Sequence, residues 1–130
     1  MSVERSQQLL SIRLAIPTAT TDAATSDNER FQNLTLRPIL KFQHELLLQL
    51  FRHYAERKKN IFFQLAMERR VSYIEKALST DLNFRNELKG VIIGHFTTEE
   101  YLIYTQNTMA LNKRIFGMLK ERLSSSVAEL

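Results

Sequence analysis

The side chains of this sequence that could bind a metal ion are few and widely separated. A di-iron helical bundle needs two Glu-x-x-His pairs and two further carboxylates that face inward. The nearest match is His53-x-x-Glu56, which is reversed and occurs once, and none of the 3 histidines forms a His-x-x-x-His pair. We therefore predict no metal ligands and no metal cofactor.

Nucleophilic catalysis also lacks its usual residues in this chain. The sequence contains no cysteine and no Gly-x-Ser-x-Gly elbow, and its serine run, Ser124 to Ser126, stands close to the C-terminal end. With 3 glycines it has no glycine-rich loop to hold a phosphate. We predict no catalytic residues, no cofactor and no enzymatic activity. A ligand-binding or enzymatic helical bundle is the third functional alternative.

Positive charge is concentrated in one part of the sequence. Between Arg52 and Lys76 the chain has seven basic residues and three acidic ones, within a net charge of +4 for the whole chain. Such an excess can contact the phosphates of a nucleic acid or another anion. A recognition-helix signature does not accompany it, so a basic nucleic-acid-binding regulator is the second alternative. The predicted anion contacts are Arg57, Lys58, Lys59, Arg69 and Arg70.

Three polar residues lie on or beside the apolar seam of the last predicted helix. Thr105, Thr108 and Asn112 follow one another at steps of three and four residues. Buried polar groups need hydrogen-bond partners, and an asparagine in an apolar seam can fix the register or the oligomeric state. We predict a buried polar cluster here. A small polar pocket between helices is the alternative.

These residues must be positioned by helices, because the composition excludes most other structures. The 130 residues include 3 glycines, 2 prolines and 19 leucines. Hairpins and sandwiches need many glycine and proline turns, whereas leucine, glutamine and the long charged residues favour helices. No apolar run reaches the roughly 18 residues of a membrane span, and Arg13 interrupts the N-terminal apolar stretch, so a secretory signal is not expected. We predict an all-α, cytoplasmic protein.

Local signals divide the chain into an arm, a bundle and a tail. A capping box is indicated at Ser26–Glu29 and again at Thr97–Glu100, and Thr35 is expected to cap a long helix from about residue 36 to 57. Shorter helices follow over about 61–79 and 82–96, and a long one ends near 123. The predicted architecture is an antiparallel bundle of four main helices over residues 29–124, with a flexible arm at 1–28 and a disordered tail at 125–130.

The long helix at 36–57 carries apolar residues around more than one face. Large exposed apolar patches on soluble proteins mark contacts, and a twofold dimer is the commonest way to cover them. We predict a homodimer, and the favoured function is a non-catalytic protein-interaction or structural module with an unknown protein partner. The predicted dimer face is Phe42, Leu46, Leu48 and Phe51.

Three stretches of the sequence carry a resemblance: RFQNLTLRPILKFQ, ELKGVIIGHFTTEEY and ALNKR. They resemble a family of small bacterial proteins without an assigned activity, some of which carry the label glyoxalase, and the similarity covers about residues 30–123. Glyoxalase I enzymes hold their metal with His and Glu on the strands of βαβββ modules, which the unpaired histidines of this helical sequence do not match. The resemblance implies an all-helical fold with no established activity.

Overall fold

The computed structural model describes residues 2–13 and 25–130, and these contain helices and turns without a β-strand. The all-α class predicted from the low glycine and proline content is confirmed for this part of the chain. Within the same residues, no helix combines the length and the apolar character that crossing a bilayer requires.

Helices follow one another with short connections. The α-helices are α1 (Ser2–Ser11), α2 (Asp27–Phe31), α3 (Arg37–Phe42), α4 (His44–Arg57), α5 (Met67–Thr80), α6 (Leu82–Ile93), α7 (Thr98–Thr105) and α8 (Thr108–Ser125). Gln32–Leu36 forms a π-helical turn, and Ile61–Gln64 and Val127–Glu129 form 3₁₀ turns. The long helix predicted over 36–57 is therefore interrupted at Gln43, and the last predicted helix is interrupted at residues 106–107.

The chain divides into two compact units, and each is assembled from two stretches of sequence. Unit 1 comprises Met1–Gln43 and Val91–Ile115, and unit 2 comprises His44–Gly90 and Phe116–Leu130. The sequence predicted one continuous domain over 29–124. The boundaries of the units instead fall between α3 and α4, within α6 and within α8, and no proline or low-complexity signal marks them.

Unit 1 buries aromatic side chains from distant parts of the sequence. The ring of Phe96 meets Phe31 edge-on at 5.4 Å between centroids and Tyr104 at 5.7 Å. All three are buried, as are Leu36, Ile39, Leu40, Ile92, Leu111 and Ile115. The Phe96 ring therefore links the α2 region to α7, which places the start of α7 close to residues 31–40.

Thr35 does not cap a helix, which corrects the sequence prediction. It lies inside the π-helical turn, is buried, and donates its hydroxyl to Glu100 Oε2 at 2.8 Å. Pro38 has no amide hydrogen and its ring would clash with the preceding turn of a regular helix. The wider turn, in which the Arg37 amide donates to the Gln32 carbonyl, relieves this conflict and lets the chain stay helical from Asp27 to Phe42.

Unit 2 is built around Phe51. Its ring contacts Phe62 at 4.9 Å, Phe84 at 6.1 Å and Tyr73 at 6.3 Å between centroids. Tyr54, one turn further along α4, stacks on Phe84 at 4.1 Å. Residues of α5, α6 and the 3₁₀ turn thus cover the broad apolar face of α4 within the same chain.

The two ends of the chain differ from the prediction of an arm and a tail. Residues 2–11 form α1, whose Arg5 guanidinium donates to the carbonyls of Gly94 and Phe96 at 3.0 and 2.8 Å. The rest of the predicted arm lies mostly outside the described residues. At the other end, Ser126 is buried, Val127–Glu129 contacts α5, and the Arg52 guanidinium of α4 donates to the Glu129 carbonyl.

Candidate functional site

The five predicted anion contacts all belong to unit 2, but they differ in what they do there. Arg57, Lys59 and Arg69 are exposed. Lys59 and Asn60 have φ of 63° and 57°, so the basic turn after α4 is a left-handed one. Because these three side chains are exposed, their predicted role as anion contacts stays a prediction.

Arg70 has a structural task instead. Its Nε and Nη2 atoms donate to the carbonyls of Leu65 and Phe63, both at 2.9 Å, and its guanidinium lies 5.2 Å from the centroid of the Phe62 ring. The arginine thereby closes the 3₁₀ turn onto the first turn of α5. Because its Nε and Nη2 atoms already donate to backbone carbonyls, Arg70 is not one of the freely exposed anion contacts that the sequence predicted.

Lys58 lines an open groove of about 740 Å³ in unit 2. Its ammonium lies 3.7 Å from Asp81 Oδ2 and 5.7 Å from the centroid of the Tyr54 ring. The groove runs along α4 and α5 to the first residues of α6. Its lining includes Tyr54, Lys58, Tyr73, Lys76, Asp81 and Leu82.

Asp81 makes hydrogen bonds to two of the helices that border this groove. One of its oxygens accepts the Phe84 amide at 3.2 Å, which caps α6, and the other accepts the Tyr54 hydroxyl at 2.9 Å. These two hydrogen bonds hold the pKa of Asp81 below its ordinary value. Burial and the neighbouring Asp81 charge raise the pKa of both Tyr54 and Tyr73, so both phenols stay protonated at neutral pH.

A second polar cluster, in unit 1, surrounds the Glu100 carboxylate. Oε2 accepts Arg13 and Thr35, both at 2.8 Å, while Oε1 accepts Arg13 at 2.9 Å and the Thr97 amide at 2.9 Å. Burial raises the pKa of Glu100, but the hydrogen bonds from Arg13, Thr97 and Thr35 outweigh it and leave the pKa below its ordinary value. Both oxygens of this carboxylate are thus used to join Arg13, which follows α1, and the π-helical turn to the start of α7.

Only part of the cluster around Glu100 was predicted from the sequence. The capping box from Thr97 to Glu100 was predicted and is present in both directions. Arg13 and Thr35 lie 87 and 65 residues from Glu100 along the chain, and no local pattern connects them. The bidentate pairing of Arg13 with Glu100 is therefore a feature that only the folded chain reveals.

The predicted dimer face is corrected by burial. Phe42 and Leu46 are 47% and 45% exposed, whereas Leu48 is 6% and Phe51 0% exposed. Leu48 and Phe51 therefore cannot contact a partner. The sequence showed that α4 is apolar on a broad face, but not that Phe62, Tyr73 and Phe84 cover the Phe51 side of it.

The predicted buried polar cluster is also corrected. Thr105 and Thr108 are exposed, and their hydroxyls bond to nearby backbone carbonyls, of Leu102 for Thr105 and of Tyr104 and Thr105 for Thr108. The interruption at residues 106–107 turns both threonines toward solvent. Asn112 is half-buried and accepts the Tyr104 hydroxyl, so it satisfies a single tyrosine and does not form a polar seam.

Large apolar side chains are exposed on both sides of this interruption in unit 1. We call Tyr101, Leu102, Ile103 and Met109 the apolar ridge. Tyr101, Leu102 and Ile103 are 45–56% exposed, and Met109 is 88% exposed. In the segment from 101 to 109, only Tyr104 is buried. Adjacent apolar side chains at this exposure are typical of a contact surface.

Within residues 2–13 and 25–130, no three His, Asp or Glu side chains come close enough together to hold a metal ion. No protein-family model, curated protein or solved structure matches the chain. The geometry of these surfaces is therefore the basis of the functional argument.

Proposed function

We propose that the protein is a non-catalytic helical interaction module, and that its contact surface is the apolar ridge. The observation that carries this proposal is the exposure of Tyr101, Leu102, Ile103 and Met109 on one short segment of unit 1. Burying such side chains against a partner contributes about 25 cal/mol for each Å² of apolar surface removed from water.

A second copy of the chain is the partner that requires the fewest assumptions. Twofold symmetry lets one apolar patch cover the identical patch of another copy, and cyclic dimers are the commonest oligomers. The homodimer predicted from the sequence is thus retained as a proposal, but its surface moves from Leu48 and Phe51 to the ridge. An unknown protein partner is the alternative occupant.

The polar groups of the described chain support a non-catalytic role. Glu100 uses both oxygens in hydrogen bonds with Arg13, Thr35 and Thr97, and Asp81 is occupied by Tyr54 and the Phe84 amide. Carboxylates whose lone pairs are taken up in this way, with pKa values below the ordinary range, are poor general acids or bases at neutral pH.

Sedimentation of a doubly substituted chain tests the proposal. We expect the wild-type protein to form a species of twice the 15.2 kDa chain mass at micromolar concentrations, and Leu102→Gln/Met109→Gln to stay monomeric. Both side chains are exposed, so the free energy of unfolding should change by less than about 0.5 kcal/mol for each substitution. A wild-type protein that remains monomeric up to millimolar concentration contradicts the homodimer.

The matched control removes apolar surface elsewhere. Ile61 and Met67, at 49% and 52% exposed, are close in exposure to Tyr101, Leu102 and Ile103 of the ridge, but they belong to unit 2. Ile61→Gln/Met67→Gln should self-associate like the wild type. Equal loss of association in both double variants would show that the effect is general hydrophobicity rather than the ridge.

A basic nucleic-acid-binding regulator is the second candidate function. It is favoured by the exposure of Arg57, Lys59 and Arg69 in unit 2. Retention of single- or double-stranded nucleic acid that falls with salt, and that is lost in Arg57→Glu/Lys59→Glu, would support it. Retention by the Arg70→Lys variant should be unchanged, because Arg70 is held by backbone carbonyls.

The antiparallel bundle of four main helices remains our proposal for the architecture, since the short connections between successive helices favour antiparallel neighbours. We also propose that the protein is cytoplasmic and that it belongs to the family of small bacterial proteins that its sequence resembles. Interhelical distances between spin labels placed on α4, α5, α6 and α8 would test the bundle.

A further inference from the structure

Two of the residues that line the groove of unit 2 are lysines. Lys58 and Lys76 both line it, and Asp81 is the single carboxylate among its lining residues. Asp81 is already engaged by the Tyr54 hydroxyl and the Phe84 amide. Its pairing with Lys58, at 3.7 Å and with the Lys58 side chain 53% exposed, is a surface ion pair that contributes little energy. The Lys58 ammonium is therefore free to turn toward an anion.

Apolar surface adjoins these charges. Leu82, the first residue of α6, lines the groove and is 70% exposed, although the next apolar residues of that helix, Phe84 and Leu88, are buried. Tyr73 also lines the groove. Because most of the Leu82 side chain faces solvent, it offers apolar surface to a ligand.

Tyr73 adds a hydrogen-bond donor to the lysines and the leucine that line the groove. Because burial and the nearby Asp81 charge raise the pKa of Tyr73, its phenol remains protonated and can donate a hydrogen bond. The volume of about 740 Å³ falls within the range of roughly 300–1,000 Å³ that is usual for small-molecule sites.

We propose that this groove binds a small aromatic phosphate monoester. The phosphate would be held by Lys76 and Lys58 with a hydrogen bond from the Tyr73 hydroxyl, and the ring would lie against Leu82. The two lysines supply the charge that a dianion needs, and the leucine distinguishes an aryl ester from free phosphate. This site does not depend on self-association through the apolar ridge.

Calorimetric titration of the full chain with phenyl phosphate tests the proposal, with inorganic phosphate and phenol as the two halves of the ligand. We expect phenyl phosphate to bind with a Kd of about 1 mM or tighter. Inorganic phosphate should bind at least about tenfold more weakly, and phenol should give no saturable heat. Absence of binding by phenyl phosphate, or equal affinity for inorganic phosphate, overturns the proposal.

Two substitutions locate the ligand. Lys76→Gln should weaken phenyl phosphate binding about tenfold, whereas Arg69→Gln, which removes the same charge from the other end of α5, should leave it unchanged. Leu82→Ala should weaken phenyl phosphate about threefold without affecting inorganic phosphate. Lys76, Arg69 and Leu82 are all exposed, so the folded state is retained, which the helical circular dichroism signal checks. Equal weakening by Lys76→Gln and Arg69→Gln would show that only general charge attraction is at work.

Discussion

The Glu100 carboxylate binds residues that lie far apart in the sequence, and its protonation should weaken unit 1. Its pKa is lower in the folded chain than the ordinary 4.5, so its contribution to stability is complete above pH 4.5 and is lost as the pH falls toward the folded pKa. We expect Glu100→Gln to lower the free energy of unfolding by about 2 kcal/mol at pH 7. The difference from wild type should shrink below pH 4.5, as urea unfolding at a series of pH values would show.

The neighbouring residue provides the control for this prediction. Glu99 is exposed on the same first turn of α7, and Glu99→Gln removes the same charge from the helix start. Its effect at pH 7 should be below about 0.5 kcal/mol. If the two variants lose equal stability, the Arg13 and Thr35 hydrogen bonds are not what stabilises unit 1.

Arg69 and Arg70 are adjacent in sequence and should respond differently to truncation. Arg70→Ala leaves the carbonyls of Phe63 and Leu65 without their guanidinium donor and uncovers the Phe62 ring. We expect a loss of about 1–3 kcal/mol in the free energy of unfolding. Arg69→Ala should cost less than about 0.5 kcal/mol because its side chain is exposed. Thermal unfolding of the two variants gives the comparison, and similar values would contradict the structural role of Arg70.

At the scale of elements, the loop between α4 and the 3₁₀ turn at Ile61–Gln64 contains backbone strain at Lys59, which a glycine at that position would relieve. Lys59 has φ of 63°, a conformation that costs a residue with a Cβ about 1 kcal/mol and costs glycine little. Lys59→Gly should therefore leave the stability unchanged or raise it by up to about 1 kcal/mol, despite the greater freedom of glycine in the unfolded chain. Lys58→Gly, at a position outside the left-handed pair, should destabilise. Chemical denaturation of both variants tests this, and a loss in Lys59→Gly as large as that in Lys58→Gly would refute it.

At the scale of the whole molecule, salt separates the two candidate functions. The chain carries a net charge of +4, so two copies repel one another weakly and salt screens that repulsion. Self-association through the apolar ridge should therefore persist or tighten as sodium chloride rises. Nucleic-acid retention should fall steeply over the same range, because phosphate contacts release counterions. Sedimentation measures self-association, and filter binding measures nucleic-acid retention, over the same series of salt concentrations. A dimer that dissociates as the salt concentration rises would contradict an apolar interface.

The sequence by itself determined the features that depend on composition and on residues within one helical turn. Few glycines and prolines with many leucines dictated an all-helical chain, and the cap at Ser26 and the capping box at Thr97 were readable because their partners are three residues away. The turn formed by the basic residues after Arg57 was also predicted from a local signal. These signals are local, since hydrogen bonds within a helix reach only three to four residues.

Only the tertiary structure decided which of the singled-out residues are available at the surface. Phe51 and Leu48 have the sequence pattern of an exposed apolar band, yet rings from other elements cover Phe51, and Leu48 is buried as well. Thr35 has the pattern of a cap, yet its hydroxyl bonds to Glu100, 65 residues away. Arg70 matches its neighbour in type but is held by two carbonyls. The partners of Phe51 and Thr35 lie on other elements, and those of Arg70 lie beyond the reach of a regular helical hydrogen bond, so the folded chain alone shows these contacts.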